Sequence, residues 1–548
     1  MFTRKDIRKK TIQVGNLTLL SRVLGLIREI LMAQYLGASA FSDAFLTAFK
    51  IPNSLRKIFA EGALSAAFIP TFSALIKQNH KGSLNKLMSL SLVVVEGALI
   101  ILCAILFWKA EWVIRLVAPG WFTNSLTKTV ELSSRSFIQT FISFFTQPHE
   151  QVVQAVYAAY YLRILISFIV YISSSALLAG ALQSVGHFFV PACAPVLLNL
   201  FFISGASVCL YFGLSVNYLC IFIIAGGIAQ FILHLAVYLS LNFSFGPIDR
   251  ETWNIFRGVL KKFFPCLLSM SIMEIYFFVD SSIASFLTVG SVTLIYYANR
   301  FMGIPLGVIA RAFSTILLPY FSRIAVYAPE RFSFLLFEAA KLIVWVTVPI
   351  ALFMGFFSDS IFLTLFVSEK FSSVQAVEAG SIFIAFLYGL FFFSFNTILL
   401  NVYYALHETV IPMYIVSICM IINFILSYYV FMPLYGAYGI ALATTITSGI
   451  QTFLYMTLLY WYFQIHIYIY SFGLFLMRFI AQLFFGSLLF LSMYYIAVHC
   501  INLFPEIVAR HLLDTVLLWG WVLPIAGMIF LYLYMTRRLF ALKLYFLE

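Results

Sequence analysis

GALSAAFIPTFSAL at residues 62–75 returns as RAFSTILLPYFSRI at residues 311–324, at a constant offset of 249. Ala63/Ala312, Ser65/Ser314, Pro70/Pro319, Phe72/Phe321 and Ser73/Ser322 are identical pairs. Just upstream, FKIP (49–52) corresponds to FMGIP (301–305) after a slip of about one helical turn. The repeat lies in a 548-residue chain that is 63% hydrophobic and 10% charged, with a mean hydropathy of +1.00. Soluble proteins are about 45–50% apolar and about 25% charged. No soluble interior hides 61 Phe, 31 Tyr and 8 Trp together with the aliphatics. A membrane-crossing helix takes about 20 apolar residues. The chain therefore reads as an all-α polytopic membrane protein, which excludes a soluble enzyme, a disordered chain and a single-span receptor.

Apolar stretches broken by Gly, Pro, Asn and charges predict fourteen helices: 11–36, 43–76, 84–108, 155–183, 192–213, 217–242, 257–288, 291–324, 333–357, 373–405, 410–432, 436–463, 471–499 and 511–536. The repeat offset spans six of them. An even number keeps the copies parallel, so the halves are related about the membrane normal. Transporters built this way bind near the midplane between their halves and alternate access by rocking. The expected organisation is an N-lobe at 1–242, a C-lobe at 243–465 and two added helices at 466–548. The prolines inside helices 2 and 8 supply bends for gating. MFTRKDIRKK opens like a signal peptide, but Arg22 and Arg28 interrupt the apolar stretch beyond it and no cleavage site appears, so the first span is read as uncleaved. The 7 Cys are scattered without metal-site spacing, the 8 His are isolated, and no phosphate-binding GxxxxGK[ST] motif occurs. Residues 109–154 form the one sizeable hydrophilic interruption, with KAEWVIRLVAPGW read as interfacial.

The basic residues orient the chain. Nineteen share the side of the N-terminus and seven lie on the other, which places both termini in the cytoplasm. Seven more fall at membrane depth: Arg22, Arg28, Lys50, Arg56, Lys57, Arg300 and Arg311. Asp43, Glu61, Glu96, Glu274 and Asp280 join them. A charge at mid-bilayer costs at least about 2.5–3.5 kcal/mol on insertion scales, so such residues face a cavity or a partner. At 100° per residue, Asp43, Lys50, Lys57 and Glu61 fall within about 40° of one another on helix 2. Pairing of Lys57 with Glu61 is the structural alternative. Pairing of all seven cations is not available, because acids at depth are too few and too spread out. No acid on the same helix as Arg28, Arg56 or Arg300 is expected to be well placed for bidentate pairing. A water-filled cationic cavity is the expectation.

SRVLGLIRE (21–29) and SDAFLTAFKIPNSLRKIFAEGALSAAFIP (42–70) resemble the signature of the MurJ/MviN family. These are the lipid II flippases of bacterial cell-wall synthesis, within the multidrug/oligosaccharidyl-lipid/polysaccharide exporter superfamily. APGW (118–121), PACAPVLLN (191–199), GSVTLIYYANR (290–300), IPLGV (304–308) and ILLPYFSRI (316–324) extend the similarity over residues 10–465. The resemblance implies a transporter rather than an enzyme, set in the bacterial cytoplasmic (inner) membrane. It would move undecaprenyl-pyrophosphate-linked peptidoglycan precursor to the outer leaflet by alternating access. It implies substrate-binding roles for Arg22, Arg28, Asp43, Arg56, Lys57, Glu61 and Arg300. Arginine suits this role because its planar donor fork holds phosphate without a metal. The implied partners are lipid II, membrane lipids and cell-wall synthesis proteins, with no nucleic acid. The polyprenyl tail would lie in lipid, along a groove involving helices 13 and 14.

The chain departs from the family pattern in places. Asn299 and Gly303 stand where acids are usual, and YYALHETVIP (403–412) lacks the usual basic turn. No cofactor is implied; coupling to Na+, H+ or membrane potential is left open. Asp280 with Asn423 forms a candidate cation site of carboxylate and amide oxygens, to which Ser427 adds only a hydroxyl. The same residues would equally serve as a helix–helix hydrogen bond. Two rival classes remain. One is another exporter of the superfamily, for a different polyprenyl-linked oligosaccharide or for cationic drugs; the other is a membrane enzyme acting on polyprenyl phosphate. A drug exporter calls for acids in an apolar cavity, and an enzyme for clustered Asp or His.

Overall fold

The structure, a computed structural model, describes residues 4–59, 65–77, 81–123, 154–310, 313, 317, 320–324, 327, 329–465, 468–502 and 510–547. Most of these residues are helical, and there is no strand among them. The first part of the chain folds as α1 (Arg4–Leu36), α2 (Ala40–Arg56), α3 (Ser65–Lys77), α4 (Lys81–Ser91), α5 (Gly97–Trp108), α6 (Ala110–Val117) and α7 (Gly120–Thr123). Next come α8 (Gln154–Leu165), α9 (Phe168–Ser184), α10 (Phe189–Phe212), α11 (Val216–Ser240), α12 (Arg250–Ala284) and α13 (Ser291–Pro305). The remainder is α14 (Phe332–Phe356), α15 (Ser358–Phe366), α16 (Ser373–Leu387), α17 (Leu390–Ala405), α18 (Val410–Ile425), α19 (Met432–Phe463), α20 (Ile469–Asn502) and α21 (Arg510–Thr536). Every segment predicted from hydropathy maps onto one or more of these helices. Among the described residues, seven helices are long and apolar enough to cross a membrane, or eight with the pair α16 and α17.

Several expected continuous helices are broken. One-turn π segments interrupt them at Leu92–Glu96, Leu306–Ala310 and Leu426–Phe431. The second comes directly after Pro305, whose missing N–H and ring disturb the helical ladder. The pair α16 and α17 bends by 46° at Tyr388 and Gly389. Local chemistry sets other ends. The Ser39 hydroxyl accepts the Ser42 amide at the start of α2. Asp249 caps α12 by accepting from the Thr252 amide (2.8 Å) and hydroxyl (2.6 Å). Lys86, 2.6 Å from the Asp249 carboxylate, acts first among the groups that hold this carboxyl well below its usual range; the two Thr252 hydrogen bonds add to it.

The chain divides into two compact units. The first is Met1–Tyr297 with Leu365–Glu378 and Phe424–Ile440; the second is Ala298–Thr364 with Ala379–Asn423 and Ala441–Glu548. In the first, α1 packs on α10, α2 on α8, and α9 on α11, while α12 lies against α3 and α4. Phe49 joins three of these helices, with its ring 5.3 Å from that of Phe202 and 6.4 Å from that of Phe168. Gly37 ends α1 with φ +63°, and a Cβ there would sit 1.9 Å from the Lys370 carbonyl oxygen. Only glycine allows that approach.

In the second unit, Phe321, Phe332, Leu336, Tyr403 and Tyr455 belong to one buried cluster, and the Tyr403 hydroxyl donates to the Tyr455 carbonyl at 2.8 Å. The last two helices are fastened to α14 by polar ties. Trp345 Nε1 donates to Gln482 Oε1 (3.2 Å), and Gln482 Nε2 donates to the Leu533 carbonyl (2.8 Å) and Thr536 Oγ1 (2.9 Å). Beyond α21 the chain returns over α14, where Leu542 and Leu544 are buried beside Trp345. The buried Glu338–Lys341 pair binds this return: Glu338 accepts the Tyr545 amide and Lys341 donates to the Lys543 carbonyl.

Candidate functional site

Six of the nine candidate site residues, Arg22, Arg28, Asp43, Arg56, Lys57 and Asp280, lie in described parts of the first unit, and hydrogen bonds tie several of them across helices. Asp43 is 1% exposed and has four donors. Its Oδ1 accepts the Thr293 amide (2.9 Å) and hydroxyl (2.6 Å); its Oδ2 accepts the Gly290 amide (2.7 Å) and Gln154 Nε2 (3.0 Å). A carboxylate from α2 thus caps the N-terminus of α13, where unpaired amides and the helix dipole favour negative charge. Gly290 makes the approach possible with φ +94°, since a Cβ there would meet the Ala38 carbonyl oxygen at 2.8 Å.

Arg28 is held on three sides. Its guanidinium pairs with Glu29, donates to Asn199 Oδ1 at 3.0 Å and lies 4.9 Å over the Phe202 ring. Glu29 is 3% exposed and accepts the Tyr296 hydroxyl at 3.2 Å on each oxygen. Asn199 turns its amide back to the Ser21 carbonyl (2.9 Å). The expectation for acids on the same helix concerned bidentate pairing; the contact seen here joins Arg28 Nη2 to Glu29 Oε1. Neighbouring side chains diverge on a helix, but the arginine stem is long enough to fold onto the carboxylate beside it.

Lys57 pairs with Glu274 on α12 at 3.2 Å. Glu61, like Arg311 and Pro319, lies outside the described residues. Lys50 donates to Ser281 at 2.6 Å and lies 5.1 Å from the Phe278 ring. Arg56 turns back to Asn53 Oδ1, at 3.3 and 3.2 Å from Nε and Nη2. Arg22 is exposed and lines a cleft of about 260 Å³ with Thr18, Ser21, Gln183 and Phe188. Arg28, Lys50, Arg56 and Lys57 are therefore met by a mixture of acids, hydroxyls, amides and aromatic faces. For Arg28, whose side chain is 12% exposed, burial drives this, because an apolar medium supplies no water to a lone charge.

Asp280, buried on α12 beside Ser281, belongs to the first unit. Asn423 and Arg300 belong to the second; Asn423 is fully buried and accepts the Thr444 hydroxyl at 3.4 Å, whereas Arg300 is exposed.

The family model described as lipid II flippase MurJ matches residues 32–501. The chain belongs to the MurJ family. The lipid II flippase MurJ of Burkholderia cenocepacia is 31% identical over 455 residues, covering 82% of this chain and 83% of that one. A probable lipid II flippase MurJ of Buchnera aphidicola from Acyrthosiphon pisum is 29% identical, covering 83% and 84%. A solved structure of lipid II flippase MurJ in an inward closed conformation shares the fold, with TM-score 0.73, 24% identity, and coverage of 96% of this chain and 99% of that one. An inward-facing multidrug transporter of the MATE family and the MOP superfamily shares it less closely, with TM-score 0.62 and 15% identity, covering 81% and 96%.

In this MurJ-family chain, sequence reasoning singled out most of the charges and missed their partners. Glu29 stands next to Arg28 in SRVLGLIRE, in plain view. Asn199, Thr293 and Tyr296 carry no charge, and only the fold brings them to Arg28, Asp43 and Glu29.

Proposed function

We propose that this protein is a lipid II flippase, moving undecaprenyl-pyrophosphate-linked peptidoglycan precursor from the cytoplasmic to the outer leaflet by alternating access. The observation that carries this reading is the family match across residues 32–501. The chemistry of the chain agrees with it. Arg22, Arg28, Arg56, Lys57 and Arg300 supply cationic donors for a pyrophosphate; Asp43 and Glu61 complete the substrate-binding set, Asp43 by capping α13. Arginine forks bind such an anion without a metal. Asp280 and Asn423 are the residues for a coupling cation, and helices α20 and α21 border the path of the polyprenyl tail. The protein works as a transporter in the bacterial cytoplasmic membrane with both termini inside, a topology supported by the nineteen-to-seven division of basic residues.

The test is complementation of a strain whose own lipid II flippase can be switched off. Growth is expected with the wild-type chain and none with Arg22→Ala at equal membrane abundance. A well-inserted wild-type chain that fails to restore growth would overturn the reading.

A further inference from the structure

One buried acid stands apart from the substrate residues. Glu96 closes the π segment Leu92–Glu96, in the middle of Gly82–Trp108, a stretch long and apolar enough to cross a membrane. It is 9% exposed, and neither carboxylate oxygen has a hydrogen-bond partner among the described residues. A π segment costs helical stability and recurs at functional positions. This one turns Glu96 inward while Val93 and Ile100, on either side of it, stay largely exposed.

Facing Glu96, α9 presents the buried hydroxyls of Ser173 and Ser174. Ser173 Oγ has no hydrogen-bond partner among the described residues. Next along α9, Ser175 meets His234 Nδ1 at 2.9 Å. That nitrogen also lies 2.8 Å from the Gln230 carbonyl, so it carries the ring proton and leaves Nε2 as an unpartnered acceptor. The Ser173 and Ser174 hydroxyls are the donors that face Glu96, and neither closes a hydrogen bond to its carboxylate. Of the other ionisable groups on the elements around Glu96, Cys103 on α5 donates to the Ile166 carbonyl, Lys86 on α4 is engaged by Asp249, and α9 adds Tyr171.

A carboxylate in this setting has lost its water, and the hydroxyls beside it leave both of its oxygens short of a closed hydrogen bond. A small monovalent cation removes that cost, as a proton on the carboxyl or as sodium among carboxylate and hydroxyl oxygens. We propose that Glu96, with Ser173 and Ser174, is a binding site for such a cation within the first unit. Its use rests on the flippase reading: a site that loads and unloads during the cycle couples ion movement to lipid movement. The residues are distinct from Asp280 and Asn423.

The test uses the purified full-length chain and dicyclohexylcarbodiimide, an apolar reagent that modifies protonated carboxyls buried in apolar surroundings. Modification at Glu96 is read by mass spectrometry of its peptide. In sodium-free choline buffer, Glu96 should be labelled, and labelling should fall as pH rises, about tenfold per pH unit above its midpoint. Suppression by sodium at fixed pH and ionic strength identifies sodium as the ligand. Labelling that tracks pH and ignores sodium identifies the proton. Absence of labelling at Glu96, or labelling indifferent to both, overturns the site. Glu96→Gln should abolish the modification, and the wild-type titration decides the question even if that variant does not accumulate. Because no lipid II enters the assay, a failure of transport would strike the flippase reading and leave this result standing.

Discussion

At the scale of single residues, the strongest constraint falls on Asp43, because both of its oxygens are committed. Asn at this position keeps the shape and loses one acceptor. Whichever way the amide turns, its NH2 group faces donors, either Thr293 or the pair Gly290 and Gln154. Leaving such groups unpaired costs about 1–3 kcal/mol. Asp43→Asn should therefore lower the unfolding temperature in detergent, and an unchanged melting curve would contradict the capping role. Arg28 makes a different demand. Its guanidinium serves Glu29 and Asn199 at once through a fixed fork, which a lysine ammonium cannot reproduce. Arg28→Lys should cut lipid II transport about tenfold, the equivalent of one charge-assisted hydrogen bond, at an unchanged amount of folded protein. Loss of folded protein in step with transport would assign Arg28 to bracing alone.

At the scale of elements, polar ties do what the hydrophobic effect does in soluble proteins. Lipid tails are as apolar as leucine, so packing and interhelical hydrogen bonds hold membrane helices together. Gln482 is fully buried and links α14, α20 and α21 through three hydrogen bonds. Gln482→Leu preserves bulk and deletes all three, for an expected loss of about 1–2 kcal/mol. Thermal unfolding of the variant should show α20 and α21 loosening first, by faster proteolysis after α19; wild-type protease resistance would count against the tie.

The helices themselves were legible in the sequence, because a run of about 20 apolar residues has few other fates. The breaks were less so. A π segment such as Leu92–Glu96 inserts a residue without altering hydropathy, and the 46° bend between α16 and α17 falls at a tyrosine–glycine pair inside an apolar run. Partners were hidden for another reason. Lys57 and Glu274 are 217 positions apart and Asp43 and Thr293 are 250 apart, distances over which helical periodicity carries no information.

At the scale of the whole molecule, a chain with 63% hydrophobic residues retains cations along its first two helices and gives Arg28, Lys50, Arg56 and Lys57 a polar or aromatic neighbour and Arg22 a cleft. That is expensive in a bilayer, and a substrate carrying a pyrophosphate gives the expense a use. The direct measurement is translocation by the purified protein. The chain is reconstituted into liposomes with lipid II, and the precursor reaching the opposite leaflet is monitored by its accessibility to an impermeant head-group reagent. The wild-type protein should make inner-leaflet lipid II accessible, and Arg28→Ala, at the same amount of folded protein, should not. Folded wild-type protein that leaves lipid II where it began, or an Arg28→Ala variant that moves it equally well, would contradict the account.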